Sequence, residues 1–110
     1  MHAIVAEADG EEKIGDALEA EGVDVTRLEL EGEHLTRPEL EDAGIVDADL
    51  YVLTDVSQAT TIPIAVDLND DLRTVAYTED TMPEFVRGQL DLAVDPRLMA
   101  ADVVAEELVD

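Results

Sequence analysis

The chain has no cysteine, no tryptophan, one lysine and one phenylalanine among its 110 residues. Each absence removes a class of explanation. Without cysteine there are no disulfides and no thiolate-held metals. Only six side chains are cationic, Lys13 and five arginines. So few cannot assemble the basic patch that nucleic-acid phosphates require. No apolar run reaches bilayer-spanning length and no secretory leader is recognisable. The expectation is a cytoplasmic, soluble protein that neither inserts into a membrane nor binds nucleic acid.

Carboxylate is what the chain has in excess: 29 Asp and Glu, for a net charge of −23. The acids are spread along the whole length. Self-repulsion of this size destabilises a compact state in dilute buffer, and salt screens it within about 3 Å at 1 M. Dispersed acid with scarce lysine and few aromatics resembles the proteins of salt-in halophiles, and most of the carboxylates read as solvated surface. Hydrophobic residues still make up 46% of the chain and recur in patterned runs. That pattern excludes a disordered acidic tail and suits a single domain over residues 1–110.

Strands and helices alternate along the sequence. His2 to Ala6 reads as a first strand. Glu11 to Glu21 reads as a helix with Ile14, Ala17 and Leu18 on one face and Gly22 as its stop. Val23 to Glu29 is a second strand. Thr36 and Glu39 have capping-box spacing before a short helix that ends at Gly44. Ala48 to Thr54 is a near-continuous apolar strand, of the kind buried on both faces. Thr60 or Thr61 caps the next helix, with Pro63 in its first turn. Arg73 to Thr78 is a fourth strand, Thr81 with Glu84 caps a helix, and Leu90 to Val94 is a fifth strand. Asp95-Pro96 caps the last helix, whose Leu98, Ala101, Ala105 and Leu108 share one face. The fold class is α/β: a Rossmann-like three-layer sandwich with a five-stranded parallel sheet in the order 3-2-1-4-5 and helices on both faces. Ligands in such sheets sit at the carboxyl ends of the strands, where the order reverses beside the first strand.

Several phrases carry a family resemblance. They are Gly22-Val23-Asp24-Val25-Thr26 running to Glu29, Leu40-Glu41-Asp42-Ala43-Gly44-Ile45 before Ala48-Asp49, then Thr54-Asp55, Leu72-Arg73-Thr74-Val75-Ala76, and Asp91 to Pro96. In order and spacing the chain resembles the TrkA-N family, the nucleotide-binding lobe of potassium-conductance regulators (RCK/KTN domains). The resemblance implies a ligand-sensing regulatory module, with NAD(H) or an adenine nucleotide as ligand and a membrane cation transporter as partner. It places the cofactor against Ala6, Ala8, Gly10, Glu29, Thr54 and Asp55, with Glu29 accepting the ribose hydroxyls. The fingerprint glycines of the family fall on Ala6, Ala8 and Glu11. Glu7, Asp9, Glu11 and Glu12 stand where phosphates would lie, and they cap a helix by themselves.

No catalytic constellation is legible. His2 and His34 share no metal-ligand spacing, and no metal is expected. Ser57 is the sole serine and lacks a nucleophile-elbow context. Nothing joins a nucleophile to a base, so the chain reads as a non-enzyme. The alternative to nucleotide sensing is an interaction or scaffold protein that has no ligand and acts by dimerising or docking to a partner, with the last helix as its surface.

Overall fold

A computed structural model of the chain describes residues 1–7, 14–29, 36–54, 58–79 and 81–109. Its elements run β1 (His2–Glu7), α1 (Ile14–Ala20), β2 (Asp24–Glu29), α2 (Arg37–Asp42), a single 3-10 turn (Ile45–Asp47) and β3 (Leu50–Leu53). They continue with α3 (Thr61–Leu68), β4 (Arg73–Tyr77), α4 (Glu84–Arg87), β5 (Leu92–Val94) and α5 (Ala101–Val109). The five strands are parallel throughout and form one sheet.

Strand alternation splits the core into two layers, because successive side chains of a strand point to opposite faces. Ala3 and Val5 of β1, Leu50 and Val52 of β3, and Val75 and Tyr77 of β4 pack against Ile14 and Leu18 of α1 and Val104 and Leu108 of α5. Ile4, Ala6, Tyr51, Leu53 and Ala76 face the other way, against Leu40 of α2, Ile62 of α3 and Val86 of α4. This is the expected α/β sandwich, helices on both faces of a parallel sheet.

The strand order is β2-β1-β3-β4-β5 rather than 3-2-1-4-5. The reason lies in burial. All four residues of β3 are buried, so β3 needs a strand on each side and a helix layer on each face. β2 carries Asp24, Arg27 and Glu29 among its six residues and takes the edge instead. There the Arg27 guanidinium bonds Asp16 at 2.6 Å and Glu19 at 2.9 Å, both on α1. The hydrogen bond from Arg27 holds the Glu19 carboxyl below its usual range.

Helix ends depart from the expected caps. Gly22 does stop α1, at φ +87°, and Gly44 follows α2 at φ +93°, both in the left-handed region that suits glycine. Thr36 occupies the N-cap of α2 but its side chain makes no capping bond. The helix after β4 begins at Glu84 with Pro83 in the cap position, so the Thr81–Glu84 box does not form. Thr60 occupies the N-cap of α3, with Pro63 in the first turn, but its side chain makes no capping bond either. The largest departure is at the last helix, which begins at Ala101 rather than at Asp95-Pro96.

Candidate functional site

In a sheet of order 2-1-3-4-5 the chain reverses direction of growth between β1 and β3, and that is where the carboxyl ends open a crevice. Two of the expected ligand residues meet there. Thr54 follows β3 directly, and its N–H donates to the Ala6 carbonyl at 3.1 Å, with its hydroxyl on the same carbonyl at 3.3 Å. Both residues are buried. The Ala6 methyl belongs to the core packed against α2, α3 and α4, so the first fingerprint position serves packing. Glu29 ends β2 in register with Glu7, on the outer side of β1 from this crevice. Ala8, Gly10 and Asp55 lie outside the described residues, as do Lys13, His34 and Ser57. Among the described residues no group of three or more His, Asp or Glu stands close enough to hold a metal.

Among the described residues, two clefts lie at the other end of the sheet, around β5. One cleft of about 400 Å³ lies between the ends of β4 and β5 and the segment leading into α4, with Ala76, Met82, Leu90 and Ala93 on its apolar walls and Thr78, Arg87 and Asp95 among its polar ones. A second, of about 310 Å³, lies on the opposite face of the same strand between β5 and α5. Val75, Val94, Met99, Val104 and Leu108 wall it, and Arg73, Asp91 and Glu107 border it. β5 is short, three residues, and incompletely covered on both faces.

The loop from β5 to α5 is held tightly. The Asp95 carbonyl accepts from the N–H groups of Leu98 at 2.9 Å and Met99 at 3.2 Å. The Asp95 carboxylate accepts the Arg97 N–H at 2.8 Å. It also takes the Arg97 guanidinium in a fork, Nη2 to Oδ2 at 2.7 Å and Nε to Oδ1 at 3.1 Å. These bonds from Arg97 hold the Asp95 carboxyl below the usual aspartate range. Arg97 also reaches Glu79 after β4, at 3.4 Å. From below, the buried Tyr77 hydroxyl donates to the Met99 carbonyl at 2.9 Å.

This turn explains why the sequence periodicity misled at Leu98. Asp95 bonds forward to its own backbone two residues on, a local alternative to helix. The turn rotates Leu98 out of the apolar stripe that Ala105 and Leu108 keep, and it is 85% exposed. Among the described residues, four of the seven large hydrophobics left exposed are Leu92, Leu98, Met99 and Val103, on β5, this loop and α5. None of them is among the expected ligand residues, and Leu98 alone was expected on the apolar face of the last helix. The one signal in the sequence was Asp95-Pro96-Arg97, readable as a turn as well as a helix start.

One family's sequence pattern matches residues 3–108, nearly the whole chain. The chain belongs to DUF7126, a family of unknown function. No curated protein matches it. Among solved structures, the DUF7126 chain is similar to an orphan response regulator of H. pylori, at 12% identity and a TM-score of 0.72, over 99% of this chain and 93% of that one. It is also similar to a protein described as a pilus assembly protein (CpaE) from Burkholderia thailandensis, at 12% identity and TM-score 0.66, over 99% and 95% of the two chains. A third is an atypical orphan response regulator described as having a phosphorylation-independent regulatory mechanism, at 13% identity and TM-score 0.67, over 97% and 91%. At such identities the likeness carries the fold alone.

These findings overturn the TrkA-N resemblance and the potassium-transport nucleotide lobe it implied. The similar folds are those of response regulators and a pilus assembly protein, and the sheet order of the DUF7126 chain is that of flavodoxin-like rather than dinucleotide-binding domains. The phrases that carried the resemblance mark strand ends and turns, which both architectures need at similar intervals.

Proposed function

We propose that this chain is a non-enzymatic regulatory interaction module that docks to another protein through the face built from β5, α5 and the loop between them. The observation that carries the reading is the exposure of Leu92, Leu98, Met99 and Val103 on β5, the loop and α5, with Leu98 and Met99 held on a loop pinned by hydrogen bonds. Fixing an apolar anchor in advance lowers the ordering cost of binding. β5 itself, Leu92–Val94, has no charged residue, whereas the opposite edge strand is guarded by Asp24, Arg27 and Glu29.

Two further observations support a regulatory rather than a chemical role. The response regulators of similar fold are regulatory proteins by name, one of them through a mechanism independent of phosphorylation. Arg97 is committed to Asp95 and Glu79, which line the larger of the two clefts, instead of facing a substrate. On this reading the module acts in the cytoplasm, and its β1–β3 crevice takes no nucleotide.

The test is site-specific photo-crosslinking in the native cell. A photoreactive residue at Leu98 or Val103 should give a discrete crosslinked product, and one at Asp24 on the β2 edge should not. Equal labelling from both edges, or none from β5, would sink the reading. A thermal shift with NAD(H) or an adenine nucleotide would move attention back to the β1–β3 crevice.

A further inference from the structure

The larger cleft beside β5 is built as small-molecule sites are, with apolar walls and a few charged groups converging on them. Ala76 of β4 and Ala93 of β5 are partners in register, and Met82 and Leu90 come from the two sides of α4. Two alanines side by side on neighbouring strands leave open the room that larger side chains would fill. At about 400 Å³ the space holds a molecule of amino-acid size.

The arginine that lines this cleft pairs with no acid. In a chain of 29 acids and six cationic side chains that is an exception. Arg27, Arg37 and Arg97 each pair with a carboxylate, and Arg73 turns to the Leu108 carbonyl. Arg87 forms no ion pair among the described residues, although Glu79, Asp91 and Asp95 line the same cleft. Its Nε donates to the Met82 carbonyl at 3.1 Å, which anchors the guanidinium and leaves both Nη groups without a partner among the described residues. The three carboxylates differ. Asp95 gives both oxygens to Arg97, and Glu79 shares that arginine at 3.4 Å. Asp91 accepts the Thr74 N–H through Oδ2 at 2.8 Å, and its Oδ1 takes no hydrogen bond among the described residues.

Arg87 and Asp91 are therefore opposite charges on one cleft that stand too far apart to pair. A ligand carrying both signs closes that gap. An anion alone would meet the field of a chain at net charge −23, and a cation alone would face Arg87. Free Nη groups on a planar guanidinium suit a carboxylate, taken in a fork. Asp91 suits an ammonium, and the alanine floor with Met82 and Leu90 suits an apolar side chain. We infer that this cleft binds a free α-amino acid with an apolar side chain, its carboxylate on Arg87, its ammonium on Asp91 and its side chain over Ala76 and Ala93. The inference stands apart from the docking role of the β5–α5 face, because it needs neither Leu98 nor a partner protein.

Amide chemical-shift titration of the purified protein with leucine, in molar KCl, tests it. N-acetyl-leucine, which lacks the ammonium, and leucinamide, which lacks the carboxylate, are the controls. Leucine should bind saturably, with shifts at Thr78, Arg87 and Ala93 and none along β2. Each capped form should bind about tenfold or more weakly, as loss of a charge-assisted contact implies. Arg87→Gln should weaken leucine to the level of leucinamide and leave leucinamide itself unchanged, an outcome that loss of structure would not give. Ala93→Leu fills the cleft from an exposed strand position and should abolish binding with every charge intact. No saturable shifts with leucine, methionine or phenylalanine would overturn the inference. So would equal affinity for free and capped leucine, or leucine binding that survives Ala93→Leu.

Discussion

Tyr51 sits in the middle of β3 with no solvent exposure, so its hydroxyl must find a partner inside the protein. Thr61 Oγ1 donates to the Gln58 carbonyl at 2.6 Å, which leaves Tyr51 to donate to Thr61 at 2.7 Å. Burial pushes the Tyr51 phenol up from 10.0 to about 12, against a smaller opposing effect of the Thr61 bond. The folded state therefore holds a proton that the unfolded chain releases between those two values. Stability is unaffected by Tyr51 below pH 10 and falls as pH rises from 10 towards 12. The loss attributable to this one group is about 2 to 3 kcal/mol. Urea unfolding across that range should show it, and Tyr51→Phe should remove it at a neutral-pH cost of about 0.5–1.5 kcal/mol. Parallel loss in both proteins would place the alkaline sensitivity elsewhere.

Among the elements, α1 and β2 show how unequal two neighbouring contacts can be. Leu18 is wholly buried between α1 and the sheet, and its replacement by alanine should cost about 2–5 kcal/mol. Arg27 bridges two acids of the same helix, yet all three side chains are more than a third exposed. Arg27→Ala should cost no more than about 1 kcal/mol, and less in molar salt. Chemical denaturation of the two variants checks the contrast. The same scale shows what the sequence made legible. Strand and helix positions followed from alternation and glycine stops, as at Val23–Glu29 and Gly22. The order of strands did not follow from element type, although β3 contained the answer. Leu50–Leu53 is apolar on both faces, and 3-2-1-4-5 would have left it at an edge. Ala6 and Thr54 meet at the β1–β3 crevice because both lie at the carboxyl ends of central strands. Leu98 was assigned to the apolar face of the last helix because helical spacing continued through Asp95-Pro96, where a side-chain turn broke the helix before Ala101.

For the whole molecule the dominant quantity is the net charge of −23 on 110 residues. The described arginines are mostly engaged locally, at Asp16 and Glu19, at Asp67, and at Asp95 and Glu79. The remaining acids repel across a compact body with a radius of gyration of 12.4 Å. Thermal unfolding should therefore shift upward steadily with KCl, each kcal/mol recovered by screening being worth about 4–8 °C. A melting temperature flat from dilute to molar KCl would show that self-repulsion does not limit stability. No helix among the described residues is long and apolar enough to cross a membrane.

The hydrogen bond from the Tyr77 hydroxyl to the Met99 carbonyl has an optical consequence. The chain has no tryptophan and two tyrosines, so its tyrosine emission, excited beyond the absorption of phenylalanine, comes from Tyr51 and Tyr77. Tyr51 is locked in the interior, while Tyr77 grips the loop that presents Leu98. Whatever presses on or loosens that loop alters the surroundings of one of only two fluorophores. In Tyr51→Phe the molecule would carry a single intrinsic lamp, wired to its own docking surface and readable without a dye.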